Sequence, residues 1–122
     1  MKNKLFTVTS AQLNAGYYLD VSFSLTPTSI IGSRTDFYLP NELILTNSSG
    51  AAIRYITLTQ AEYNEFSANP SLAYYERIPV AINAVETITS LESVYRIFLE
   101  KVSASTSSPL TILCKKYTKR GQ

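Results

Sequence analysis

The chain predicts an all-β fold, a single-domain antiparallel β-sandwich or barrel with one short capped helix near residues 60–68. Three observations carry this. YYLDVSFSLT (17–26) places Tyr17, Leu19, Val21, Phe23 and Leu25 on one face and Tyr18, Asp20, Ser22, Ser24 and Thr26 on the other, the period of a half-buried strand. Further short runs of strand-forming residues recur between turn signals. The chain has only 4 Gly and a single helical stretch, against an α/β nucleotide-binding fold.

In chain order, LFTVT (5–9) is a first strand, and the connection SAQLNAG ends at Gly16. The strand over 17–26 is stopped by Pro27. SIIGSRTDFYLP (29–40) is broken by Gly32 and closed by Pro40, which predicts an irregular or bulged edge segment. ELILTN and AIRYITL flank SSGA and predict a hairpin. In TLTQAEYNEFSANP (57–70), Thr59 and Glu62 are spaced as a capping box, and Leu58 and Tyr63 as a hydrophobic staple. Tyr63 and Phe66 supply a buried stripe, and Asn69-Pro70 ends the helix. The helix is expected to cross between two strands over an open end of the sandwich. RIPVAINAV (77–85) is extended, with Pro79 at an edge or strand start. SVYRIFLEKVS (93–103) and PLTILCKKYT (109–118) form a second hairpin around ASTSS.

At 122 residues the chain is one domain, 1–122, with short basic termini at 1–4 and 115–122. Charged residues are 16%, while Ser (15) and Thr (13) are abundant, so the surface is polar but weakly charged and suited to assembly. The net charge of +2 is uneven. Lys2, Lys4, Lys115, Lys116, Lys119 and Arg120 are six of the 11 basic residues. A mildly acidic body therefore carries basic ends, with Lys115, Lys116, Lys119 and Arg120 as candidates to anchor on an acidic surface, nucleic acid or anionic membrane.

The chemistry is bounded by what is missing. With no His, Ser-His-Asp and Cys-His catalysis, His-based metal sites and the usual neutral-pH base are excluded. The single Cys114 excludes an internal disulfide and a cysteine-only zinc site, and its spacing with Leu110 and Ile112 predicts a buried core thiol. No phosphate-binding glycine loop occurs. Glu62 with Glu65, or Glu86 with Glu92, is conceivable as a carboxylate pair for glycoside cleavage. On the helix, however, Glu62 and Glu65 already serve capping and the helix dipole. No enzyme activity and no cofactor are expected. Asn47-Ser48-Ser49 matches a glycosylation sequon but is read as a turn. MKNKLFTVTS lacks the apolar run of a signal peptide, so the expectation is synthesis in a reducing cytoplasm without secretion. Tyr18, Tyr38, Tyr74 and Tyr75 are candidate interface residues, because tyrosine offers large contact area and a hydroxyl at low entropy cost.

Short Ser/Thr/Tyr strands such as YYLDVSFSLT, the polar loop SASTSSP, the absence of His and Trp, and the basic ends resemble small structural proteins of bacteriophage virions. Vertex or penton, cement and spike-base proteins are of this kind. The resemblance covers the whole chain and carries over no individual residue. It implies a jelly-roll-like sandwich working as an oligomeric subunit of a viral particle, in contact with itself and other virion proteins, with no small-molecule substrate. Two other readings stay open: a carbohydrate- or protein-binding sandwich module with a tyrosine platform, and a small nucleic-acid-binding barrel using the basic tail.

Overall fold

The computed structural model describes residues 4–20, 23–25, 36–39, 41–69, 76–89, 91, 93–115 and 118–120. Its elements are β1 (Lys4–Val8), α1 (Ser10–Ala15), β2 (Tyr17–Leu19), β3 (Phe23–Leu25), β4 (Asp36–Leu39), β5 (Glu42–Thr46), β6 (Ile53–Leu58), α2 (Gln60–Ala68), β7 (Ile78–Val80), β8 (Val85–Ile88), β9 (Arg96–Lys101), β10 (Leu110–Lys115) and β11 (Thr118–Arg120).

Eight strands form two four-stranded antiparallel sheets, ordered β1-β10-β5-β8 and β2-β9-β6-β7. Among these eight, only the step from β6 to β7 stays within a sheet; every other step crosses to the opposite one. That winding is a jelly-roll sandwich. Alternation fills the interior: Leu43, Leu45, Leu110, Ile112 and Cys114 from one sheet meet Leu19, Ile53, Tyr55, Ile97 and Leu99 from the other. Cys114 is buried among them, as its spacing predicts.

β3, β4 and β11 make a third sheet, with β4 in the middle. It continues the first. Lys115 pairs with Glu42, and three residues on Thr118 pairs with Leu39 in the same register. The register is therefore the same on the two sides of the interval, which includes Pro40, a residue with no N–H to donate.

Several expectations are corrected. ELILTN with AIRYITL is not a hairpin, and neither is SVYRIFLEKVS with PLTILCKKYT: β5 and β6 lie in opposite sheets, as do β9 and β10. Adjacent strands joined by a polar loop look alike from sequence whether the chain folds back or crosses the sandwich. The expected strand 17–26 divides into β2 and β3 in different sheets. The extended run 77–85 divides into β7 and the start of β8. There, Asn83 adopts a left-handed φ of 63°, which asparagine tolerates, and its N–H donates to the Asn47 carbonyl. Of the expected edge segment 29–40, residues 29–35 and 40 lie outside the described residues, and 36–39 is a central strand. The basic stretch at the C-terminal end is not a free tail over 118–120, which pair with β4.

A second helix also appears in SAQLNAG. Thr9 and Gln12 form a complete capping box, the Gln12 N–H donating to Thr9 Oγ1 and the Thr9 N–H to Gln12 Oε1. Gly16 ends α1 at φ 87°, and a Cβ there would come 3.0 Å from the Phe98 ring, so this close approach needs glycine. α2 spans 60–68 as predicted, capped reciprocally by Thr59 and Glu62. It does not cover an open end. Phe66 and Tyr63 press on Leu58, Ile56, Phe98 and Tyr18, the outer face of the β2-β9-β6-β7 sheet.

Candidate functional site

Two outer sheet faces and one set of loops compete for a functional role. The covered face, under α2, is an aromatic cluster edged with arginines. The Tyr18 ring meets Tyr63 at 5.1 Å, Phe98 at 4.7 Å and Phe66 at 6.2 Å between centroids. The Arg77 guanidinium lies 4.8 Å over Phe66, and that of Arg96 lies 4.1 Å over Tyr95, within cation–π range. Glu100 takes Arg54 Nε at 2.6 Å and Arg77 Nε at 3.2 Å; Arg96 reaches Asp20 at 3.4 Å. Burial pushes the Tyr18 hydroxyl above its ordinary pKa, helped by neighbouring Tyr63. These groups hold one another and the helix in place.

The opposite face, on β1-β10-β5-β8, is covered by no helix or strand among the described residues. Its outward residues form two rows across all four strands: Leu5, Leu113, Ile44 and Thr87, then Thr7, Thr111, Thr46 and Val85. Leu5 is 61% exposed and Val85 60%. No charged residue interrupts either row; the Lys115–Glu42 pair lies beyond them, at the end away from Thr46. Four strands about 4.8 Å apart and two rows about 6.8 Å apart give roughly 250–300 Å² in plan. A stable interface buries about 800 Å² per partner, so a contact made here must extend onto adjoining surface.

The adjoining surface is a loop end. Residues 9–16, 47–52, 81–84 and 102–109 make the four connections there, and they lock together through buried polar groups. Asn47 Nδ2 donates to the carbonyls of Ala51, Val80 and Ala81, while its Oδ1 accepts from the Ser49 hydroxyl at 2.6 Å. The Ser107 and Ser108 N–H groups donate to the Ser49 carbonyl. Asn14 Oδ1 accepts from the Thr106 N–H and hydroxyl. The sequon-like turn at Asn47 is thus a buried clamp.

The site residues expected from sequence are placed unevenly. Tyr18 is half-buried in the aromatic cluster. Tyr38 lies on β4, in register with Lys119 and Phe23, with only its backbone described. Tyr74, Tyr75 and Lys116 lie outside the described residues. Lys115 ends β10, and Lys119 and Arg120 lie on β11. Lys4 starts β1 opposite Cys114, so the two basic ends of the sequence meet at one end of the sheet. Glu62 is engaged in its capping box. Glu86 accepts the Tyr55 hydroxyl at 2.9 Å, tying the two sheets together at one edge; burial first, and this bond second, push the Tyr55 pKa up. Among the described residues no three His, Cys, Asp or Glu gather as a metal site would require. The Arg54–Glu100–Arg77 group and the Asn47 clamp were not visible in the sequence, because both depend on register between distant strands. No family model, curated protein or solved structure matches the chain.

Proposed function

We propose that the protein is a non-enzymatic structural subunit of a viral particle, a vertex, cement or other minor capsid component, acting through contacts with itself and other virion proteins. The outer face of the β1-β10-β5-β8 sheet, which no described element covers, carries this reading. Its two rows hold four aliphatic side chains and four threonines and no charge, while α2 packs on the other sheet; joined to adjoining surface, such a face can serve as a contact with another protein. The jelly-roll winding supports the reading by analogy alone, since the same architecture serves lectins and cupins as well as capsids. Tyr18, Tyr63 and Tyr95 pack against one another and an arginine rather than forming the open platform of a glycan-binding module. In this reading Lys115, Lys116, Lys119 and Arg120, joined by Lys4, anchor the charged end on an acidic surface.

The test is the mass of the full chain by light scattering, together with mass spectrometry of purified particles. The expected result is a defined multiple of 13.6 kDa and the chain's presence in particles. A stable monomer absent from particles overturns the proposal.

A further inference from the structure

We infer that the three-stranded sheet β3-β4-β11 binds single-stranded nucleic acid on the face that holds Phe23, Tyr38 and Lys119. This site rests on the acidic contact proposed above and names its partner.

Register makes the face. Phe23 pairs with Tyr38, and Tyr38 with Lys119, so the three stand in one row across three strands. Neighbouring strands lie about 4.8 Å apart, which makes the row about 10 Å wide. The adjacent row, Ser24, Phe37 and Arg120, belongs to the opposite face by alternation. No short stretch of sequence holds this set. Phe23, Tyr38 and Lys119 come from three separate segments, and a free basic tail would not fix Lys119 opposite Tyr38.

Composition singles the same sheet out. Three of its ten residues are aromatic, Phe23, Phe37 and Tyr38, in a chain with 11% aromatic residues. The two four-stranded sheets place their own aromatics, Phe6, Tyr17, Tyr18, Tyr55 and Phe98, in or against the core or beneath α2. Positive charge gathers beside the third sheet. Lys115 ends β10 opposite Glu42, and Lys4 begins β1 opposite Cys114. The strands that meet here, β1, β10, β5, β3, β4 and β11, thus hold four cations, Lys4, Lys115, Lys119 and Arg120, against two acids, Asp36 and Glu42.

Acidic partners differ in what they ask of a surface. An acidic protein or an anionic lipid surface is met by cations alone. A duplex keeps its bases stacked on one another and offers phosphates and base edges. A single strand offers phosphates and free base faces together, and proteins that bind it set aromatic rings beside cations, so that bases stack while the backbone charge is neutralised. The row of Phe23, Tyr38 and Lys119 is that combination.

The experiment measures fluorescence anisotropy of a labelled oligothymidylate of roughly 16 nucleotides with the full chain. The matching duplex and phosphatidylserine–phosphatidylcholine vesicles serve as competitors, and circular dichroism reads the fold of each variant. The single strand should bind at least about tenfold tighter than the duplex, and Tyr38→Leu should weaken it about tenfold, with Tyr38→Phe close to the unaltered chain. Lys119→Gln should weaken binding more than Arg120→Gln, since alternation puts the two on opposite faces. Two phosphate contacts, at Lys115 and Lys119, make affinity fall about sevenfold between about 50 and 200 mM NaCl. Absence of binding, equal affinity for the duplex, preference for vesicles, full affinity in folded Tyr38→Leu, or equal losses at 119 and 120 each overturn the inference. If Tyr38→Leu loses its fold, the comparison of strand with duplex decides. A chain present in purified particles but without this affinity leaves the structural reading standing; a chain that binds the strand but is absent from particles does the reverse.

Discussion

The two outer faces of the sandwich are built from the same strand alternation and end in opposite states. On the β2-β9-β6-β7 sheet the outward positions hold Tyr18, Phe98, Ile56 and Leu58, and the chain supplies its own cover, α2, with arginines sealing the rim. On the β1-β10-β5-β8 sheet the outward positions hold threonines and aliphatics, and no described element covers them. Aromatic residues on the first face are too large to leave in water, so an intramolecular lid is the stable solution. Threonine and isolated aliphatics cost little to expose, so the second face can stand in solvent. The lesson is that the chemistry of the outward row decides whether a sheet needs a helix of its own as cover.

The contrast is broken most severely at Phe66. Phe66→Ala empties the space between α2 and the sheet and should cost about 3–5 kcal/mol of unfolding free energy, read by urea denaturation; a cost below about 1 kcal/mol would mean that α2 is no lid. Next comes the rim. Glu100→Gln removes the charge that Arg54 and Arg77 share and should cost about 1–3 kcal/mol, while Lys101→Gln, beside it, should cost far less. Removing the cap by Thr59→Ala should cost about 1 kcal/mol, with Thr59→Ser retaining most of it; equal losses for the two would discard the capping account.

Alkaline pH sharpens the comparison. Tyr18 on the covered face and Tyr55 in the core both have pKa values raised by folding. Their contribution is therefore complete below the ordinary tyrosine value of about 10. It is lost as pH rises beyond that, because the unfolded chain releases protons that the folded one retains. Denaturation at pH 9, 10 and 11 should show falling stability, and Tyr55→Phe should make the fall shallower; an unchanged slope would remove Tyr55 from the explanation. The smallest effect on the isolated fold belongs to the β1-β10-β5-β8 face. Leu5→Asp should change unfolding free energy by no more than about 0.5 kcal/mol yet lower the assembled mass seen by light scattering. Intact assembly would leave the face without its proposed role.

Local chemistry was the legible part of the sequence. The Thr59–Glu62 box, the Tyr63–Phe66 stripe and the alternation around Tyr17–Leu19 and Leu110–Cys114 depend on residues close in sequence, and each is found where the spacing puts it. Which strand pairs with which was not legible. SSGA and SASTSSP carry the same turn residues whether the next strand pairs back or crosses the sandwich, so two crossings read as hairpins. Helix α1 was missed because six residues are too few to show a period, although Thr9 and Gln12 carry the same box signature as Thr59 and Glu62. Of the site, charge content was readable, but the Asn47 clamp was not, since its partners Ala51, Val80 and Ala81 come together only through the winding.

Strand β10 occupies the interior of its sheet, between β1 and β5, yet it follows every other strand of both four-stranded sheets along the chain. Among the described strands β1 pairs with β10 alone. During synthesis β1 must therefore wait, unzipped, for residues 110–114 to leave the ribosome. Such distant pairing makes for slow folding. It also makes shape a proofreading device: a prematurely terminated copy, ending before Leu110, lacks the strand that joins its first strand to the rest and cannot present either face as a finished part.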